Sequence, residues 1–275
     1  MGPDPSEAAE PPPGWEVARP AGGAPFDGVE VAGFRDRDAI GLDARVLPQP
    51  AVTVVLELSE DALTVEEAYG GRVLSSIGAG LSLGPARIRG RGVDCVEVRL
   101  SPVTAYSALD VAPSDREGGA VIDLAHLWGR QEALLREQLH EVPGWGARFA
   151  LLEKFLAERL GAGVATDPEV AATWRHIVAR QGQVRVADLA ASCGWSRKRL
   201  WSRFGAQIGM TPKRAAMLVR FDRAVRGLSA GRDAAEVASA CGYADQSHLH
   251  RDVRHFADCT PAELSVSSEE HSSKT

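Results

Sequence analysis

A nine-residue pattern occurs twice in this chain, identical at four positions. Ala187-Asp-Leu-Ala-Ala-Ser-Cys-Gly-Trp195 aligns without a gap on Ala235-Glu-Val-Ala-Ser-Ala-Cys-Gly-Tyr243, at an offset of 48. Asp188 pairs with Glu236, Leu189 with Val237, Cys193 with Cys241 and Gly194 with Gly242. One inserted residue moves the offset to 49, and the match resumes with Leu200 on Leu249, Phe204 on Val253 and Thr211-Pro212 on Thr260-Pro261. A fixed period is the signature of one supersecondary unit used more than once.

Each copy is built as a helix-turn-helix. A short apolar-periodic helix runs into a glycine (Gly194, Gly242), the residue that adopts a left-handed turn at least cost. A polar N-cap follows, Ser196 in the first copy and either Asp245 or Ser247 in the second. The next helix has one narrow apolar face, Leu200, Phe204 and Ile208 in the first copy and Leu249 and Val253 in the second. The rest of that helix is basic or hydrogen-bonding, the pattern of a helix that buries one stripe and offers the other face to a partner. Between the copies, Thr211 caps and Pro212 opens a further helix to Leu228, with Met217, Leu218, Phe221, Val225 and Leu228 spaced for burial. Seventeen residues make a rod of about 25 Å, long enough to hold two recognition helices about one turn of DNA apart, roughly 34 Å.

Charge supports a polyanionic partner only when counted by segment. The whole chain of 275 residues carries −6, which points away from nucleic acid. Residues 1–166 hold 15 basic and 25 acidic side chains, a net of −10, while residues 167–264 hold 15 basic and 10 acidic, a net of +5. The positive segment is the repeated one. Asymmetry of this kind marks an acidic domain joined to one that meets a polyanion.

The N-terminal part reads differently. Residues 1–14 contain five prolines and are expected to be a disordered arm. From Trp15 to Leu100, short β-branched runs alternate with Gly and Pro. The candidate strands are Val29–Phe34, Val52–Leu58, Arg72–Ile77, Leu81–Leu83, Ala86–Arg89 and Asp94–Leu100, a set that suggests a small antiparallel sandwich or barrel. After Ser101-Pro102 the pattern turns helical. Gln131–Val142 and Arg148–Leu160 are amphipathic, and they either pair between subunits or pack on the sandwich. Gly161-Ala162-Gly163 reads as a linker, Asp167-Pro168 opens the next helix, and residues 265–275 form a polar tail. The expected organisation is an arm (1–14), a β-rich domain with C-terminal helices (15–163), an all-α domain of two helix-turn-helix units joined by a linker helix (167–264) and a tail (265–275), an α+β multidomain class.

The segment from Glu169 to Leu264 resembles the paired helix-turn-helix domain of AraC/XylS-type transcriptional regulators. The residues that carry the likeness are Ala190-Ala-Ser-Cys-Gly-Trp-Ser196, Leu200 with Phe204, Gly209-Met-Thr-Pro212, Ala238 with Cys241-Gly-Tyr243, and Phe256 with Thr260-Pro261. The chain departs from that family's pattern in two ways. Asp258-Cys259 stand where a glycine is favoured before Thr-Pro, and Ala215-Ala216 and Leu264-Ser265 replace the usual Tyr-Arg. The resemblance implies a sequence-specific regulator that inserts helices 196–207 and 246–256 into successive major grooves. It places base-reading positions at Lys198, Trp201 and Ser202 with Arg199 adjacent, and at Gln246, Ser247, His250 and Arg251. A lysine suits guanine O6 and N7, a glutamine suits adenine, and an indole edge packs on a thymine methyl. Trp201 could instead cap the core edge near Phe204. Ser196, Arg197, Arg203 and Arg254 are placed as phosphate contacts, which set register without reading sequence. The resemblance also implies an N-terminal sensor or dimerisation domain, cupin-like, that binds a small effector. Of its aromatics, Trp15, Phe26, Phe34, Tyr69 and Tyr106 could line a pocket, although core packing is the commoner fate, and no ligand contact is named.

Other chemistries find little in the sequence. No histidine precedes His126, so a histidine metal site on the strands is excluded, and His248, His250 and His255 share no ligating face. Cys95, Cys193, Cys241 and Cys259 form no CxxC pair and read as reduced, mostly buried residues. A DNA-repair alkyltransferase, sometimes fused to this kind of helical domain, would need a reactive cysteine beside histidine and a zinc site, and neither pattern is present. No GxSxG, HExxH or phosphate-binding glycine loop occurs. The expectation is no enzyme, no cofactor and no metal. Double-stranded DNA is the expected partner, with RNA polymerase, a small effector and a second copy of the chain as candidates. Control by a protein partner without any small ligand is the alternative. With neither a signal peptide nor a membrane span, the expected location is the cytoplasm, at the bacterial nucleoid.

Overall fold

The computed structural model describes residues 13–59, 63–67, 70–81, 84–109 and 121–264. The first part is two antiparallel sheets. One is six-stranded in the order β1-β2-β9-β4-β7-β10, with β1 Trp15–Ala18, β2 Val29–Asp36, β4 Val52–Glu57, β7 Ser76–Ala79, β9 Asp94–Leu100 and β10 Val121–Asp123. The other is four-stranded in the order β3-β8-β5-β6, with β3 Leu42–Val46, β5 Leu63–Glu67, β6 Gly70–Leu74 and β8 Ala86–Gly90. Side chains alternate across a strand, and β4 uses both of its faces. Val54 and Leu56 join Val96, Val98 and Leu100 in a core shared with helices, whereas Val55 faces Leu63, Val65, Ile77 and Val121 between the sheets.

The helical layer on the outer face of the six-stranded sheet consists of α1 (Pro102–Leu109), α2 (Ala125–Trp128), α3 (Arg130–Glu141) and α4 (Gly144–Ala162). Leu135 and Leu139 of α3 and Leu152 and Leu156 of α4 are buried in the sheet core. Packing on the sandwich takes up these four residues, while Leu134 of α3 stays exposed. Arg148 of α4 fastens this layer. It is buried, donates to the Leu139 carbonyl (3.0 Å) and to Asp94 (2.7 Å), and stacks on Trp145 at 4.9 Å. Gly33 of β2 leaves room for that indole, since a Cβ there would overlap the Trp145 ring.

The C-terminal part is α5 (Pro168–Ala179), α6 (Val186–Ser192), α7 (Arg197–Ile208), α8 (Pro212–Ser229), α9 (Ala234–Ala240) and α10 (Gln246–Ala257). The repeat is kept in three dimensions: α6 and α9 differ by 48 in number, and α7 and α10 by 49.

Several expectations need correction. Arg72–Ile77 is not one strand, because the chain breaks at Ser75 and passes from β6 in one sheet to β7 in the other. Corners of this kind let consecutive strands serve different layers. Leu81 lies outside any strand, and Ser82 and Leu83 fall outside the described residues. So do Tyr69, residues 1–12 of the arm and the tail from Ser265. Gly161-Ala162-Gly163 is no free linker: α4 runs through Ala162, and Gly163 is its C-cap.

Gly163 has an ordinary backbone (φ −75°), so its glycine is required by space alone. A Cβ would overlap the carbonyl oxygen of Ser107. Replacing it with alanine forces backbone apart at the junction of the two parts. Gly163→Ala is expected to lower unfolding free energy by about 2 kcal/mol, within the usual overpacking range, measurable by urea denaturation.

Candidate nucleic-acid interface

Both helix-turn-helix units close by the same local rules. Gly194 (φ 67°) and Gly242 (φ 73°) take the left-handed conformation after α6 and α9. Trp195 N–H then bonds back to Ala190, and Tyr243 N–H to Ala238. Ser196 caps α7 by accepting from Arg199 N–H at 3.2 Å. Asp245, not Ser247, caps α10, accepting from His248 N–H at 2.7 Å. With the caps set, Leu200, Phe204 and Ile208 on α7 and Leu249 and Val253 on α10 are fully buried.

The opposite faces are open. Arg197, Lys198, Arg199, Trp201 and Ser202 of α7 are exposed, as are Gln246, Ser247, His250, Arg251 and Arg254 of α10. Trp201 is 45% exposed, so part of its indole is open to solvent and the rest is covered. Arg199 stacks on Trp195, its guanidinium carbon 4.5 Å from the ring centroid. Arg251 donates weakly to the Ser247 carbonyl (3.3 Å). Arg203 is exposed but engaged, its guanidinium forked onto Asp167 with both bonds at 2.7 Å. The fork holds the Asp167 carboxyl below the usual aspartate range. A lowered carboxyl contributes stability above its unfolded value, and the contribution disappears as pH falls through the folded one.

The first turn of α7 carries Arg197, Lys198 and Arg199 and no acid. Cations at a helix N-terminus oppose the macrodipole, each costing a few tenths of a kcal/mol. The start of α8 repeats the feature with exposed Lys213 and Arg214 and no acid. Neither lies in a recognition helix, and the signal that marks them in the sequence is a pair of basic residues directly after a Thr-Pro cap. A row of cations placed against the helix dipole is suited to receive phosphate.

Helix α8 holds the two units in one body. Leu218, Phe221, Ala224 and Leu228 are buried, and so are Ala215, Ala216, Val219 and Gly227. Phe221 meets Phe256 of α10 at a centroid distance of 4.8 Å. Arg220 bonds to the buried Asp252 of α10 at 3.0 Å and lies over the Tyr243 ring at 4.5 Å. Arg223 donates to the Ala240 carbonyl at the end of α9 (2.8 Å). The Ala215-Ala216 departure falls on buried positions of α8, and the turn after α5 passes close by, where a Cβ on Gly182 would overlap the Ala216 carbonyl oxygen. The other departure keeps its geometry. Asp258 ends α10 in the left-handed conformation (φ 49°), as Gly209 (φ 86°) ends α7.

A cavity of about 850 Å³ lies where the β-rich part meets this body. Val55, Ile77 and Ile88 line its sheet side, and Trp174 of α5 and Asp222 and Val225 of α8 line the other. Charged pairs stand along the wall: Arg99 with Glu97 (2.7 Å) and Arg226 with Asp222. Burial pushes the Asp222 carboxyl up, against the pull of Arg226. Among the described residues, no three or more His, Cys, Asp or Glu gather as a metal site, and no helix is long and apolar enough to cross a membrane.

Two tandem helix-turn-helix units with open basic faces define a DNA-binding domain of the kind found in transcription regulators. Residues 189–265 match the family model HTH_18, described as a helix-turn-helix domain. Among solved structures, the chain is similar to ToxT from Vibrio cholerae at 10% identity and a TM-score of 0.49, over 87% of this chain and 98% of that one. It is also similar to an AraC-type DNA-binding domain-containing regulator from Chromobacterium violaceum at 24% identity and a TM-score of 0.34, over 37% and 92%. A third is the C-terminal domain of AraT, a response regulator from Geobacillus stearothermophilus, at 16% and 0.35, over 37% and 87%. None of the curated proteins matches the chain.

Two variants probe the frame. Removing Asp252 strands a guanidinium that is only 15% exposed, so Asp252→Ala is expected to cost about 3 kcal/mol in thermal or urea unfolding. Asp258→Gly relieves a left-handed non-glycine residue and is expected to stabilise by roughly 0.5–1 kcal/mol, seen as a raised Tm.

Proposed function

We propose that the chain is a sequence-specific transcription regulator that reads double-stranded DNA with α7 and α10 in successive major grooves. The β-rich domain, residues 15–163, gates the DNA-binding domain, residues 167–264, through a small effector or through self-association. The observation that carries this reading is the asymmetry of the two recognition helices. Their inner stripes are sealed, while the positions suited to base edges, Lys198, Trp201, Ser202, Gln246, Ser247, His250 and Arg251, all face solvent. Eighteen residues of α8 span about 27 Å, a rod matched to two grooves on one side of the duplex.

Arg197 and Arg254 serve as phosphate contacts, joined by Lys213 and Arg214, and the Ser196 hydroxyl stands where it caps α7. Arg203 is a weaker phosphate contact than sequence position suggests, since it must leave Asp167 first. The cavity between sheet and linker helix supports a small effector over control by a protein partner alone: its floor is apolar, its walls carry charges of both signs, and α8 forms one side of it. Pockets of this size and make-up accept small molecules. RNA polymerase is the further partner such a regulator acts on.

Lys198→Ala is expected to weaken specific binding about tenfold, as for loss of a good base contact. Arg197→Ala should lower the slope of log K against log salt by about one, as for loss of a phosphate contact. Arg203→Ala should change affinity less than Arg197→Ala. Fluorescence anisotropy across a salt series measures all three. Full affinity and sequence preference in Lys198→Ala would remove α7 from the groove.

A further inference from the structure

Both recognition helices touch the β-rich part of the chain. At α7 the contact runs through α1, which packs against it, and the connecting segment is fastened on both sides. Ser107 of α1 donates to the Val164 carbonyl (2.9 Å), and Thr166 donates to the Val103 carbonyl (3.1 Å). The Asp167 N–H then donates to the buried Gln207 side chain of α7 at 2.9 Å. At α10 the contact runs through Arg45. Arg45, on β3, donates through a terminal guanidinium nitrogen to the backbone carbonyl of Ala257, the last residue of the helix.

The last carbonyls of a helix have no partner of their own and sit at the negative end of its dipole, where a cation is favoured. Arg45 supplies both the proton and the charge from a different domain. Its field reaches the residues that follow α10. The Glu263 carboxyl is held below the usual range mainly by the Thr260 N–H and hydroxyl, with Arg254 and Arg45 adding to the effect. At Cys259 burial pushes the thiol up while Arg45 opposes it. Arg45 is thus the cation that the β-rich domain presents to the end of the second recognition helix.

We infer that Arg45 is a positioning residue for DNA reading, tying α10 to the β-rich domain so that this domain, docked on α7 through α1, sets the separation of the two recognition helices. The inference rests on the regulator reading above. It differs from the gating described there in that it needs no ligand: α8 joins the two units at their inner faces, and a third body touching both recognition helices adds a second constraint on their separation. Arg45 also lines the cavity, so whatever fills that space adjoins the residue that fixes α10.

The test uses the full chain, with sites selected from random-sequence duplex DNA by the wild type. The half-site lost in Lys198→Ala footprints identifies the DNA read by α7. Wild type, Arg45→Ala and Arg45→Lys are then compared on sites with one base pair inserted or deleted between the halves. In Arg45→Ala the spacing penalty is expected to fall at least threefold, while protection of the α7 half-site stays unchanged. Amide exchange over residues 258–264 should quicken at least fivefold without DNA. Lysine, which keeps the charge and a donor, should restore both in part. Unaltered exchange would overturn the tie between Arg45 and α10. Quickened exchange with an unaltered spacing penalty would overturn the positioning role. A wild type that selects no sequence would sink the regulator reading itself, and the positioning role with it, and is recognised by having no preferred site to vary.

Discussion

Helix α8 is buried on most of its surface, and that burial organises the C-terminal half of the chain. A surface helix needs one apolar stripe; α8 buries Leu218, Phe221 and Leu228 and also its small residues, Ala215, Ala216, Ala224 and Gly227. Small side chains let neighbours approach closely. A Cβ on Gly227 would stand 3.0 Å from Val237 of α9, and the turn at Gly182 lies on the Ala216 carbonyl. One rod therefore serves as the wall of both helix-turn-helix units, and its Asp222–Arg226 edge faces the β-rich domain.

Electrostatics divides the same half into an inside and an outside. Inside, cations are held by partners: Arg220 pairs with Asp252 beneath Tyr243, and Arg223 donates to the Ala240 carbonyl at the end of α9. Buried pairs of this kind contribute little net stability but are costly to break, so they hold geometry more than they add free energy. Outside, Arg197, Lys198, Arg199, Lys213 and Arg214 stand at helix starts, where the dipole disfavours them. Folding gains nothing from that arrangement. A polyanion laid across it offsets the unfavourable charge, and the −10 of residues 1–166 discourages contact with nucleic acid elsewhere on the molecule.

The helical half was legible in the sequence because its signals are local. Caps, left-handed glycines and stripes of period 3.6 lie within a few residues of the structure they specify, and α7 and α10 fall within a residue or two of the predicted 196–207 and 246–256. The stripe of α8 was read from its large residues, whereas the buried alanines are silent in a hydrophobicity pattern. Much of the β-rich half was missed for a related reason. The strands β1, β3, β5 and β10 are short or carry charges such as Asp43 and Arg45 on an open face, and such strands lose their alternation. The break at Ser75 is a tertiary event inside a run of uniform composition. The contact between Arg45 and Ala257 joins residues 212 apart, and no window on the sequence contains both.

The two units share a backbone plan but not their ion pairs. On α7, Arg203 reaches back to Asp167 ahead of α5; at the equivalent place on α10, offset by 49, stands Asp252, reaching to Arg220. Their exposed faces differ as well, Lys198, Trp201 and Ser202 against Ser247, His250 and Arg251. A chain of this kind has a head and a tail. On the proposed reading, such a chain cannot turn around on its site and read the same base pairs, so a bound copy would carry a direction, its β-rich domain set toward one defined end of the DNA.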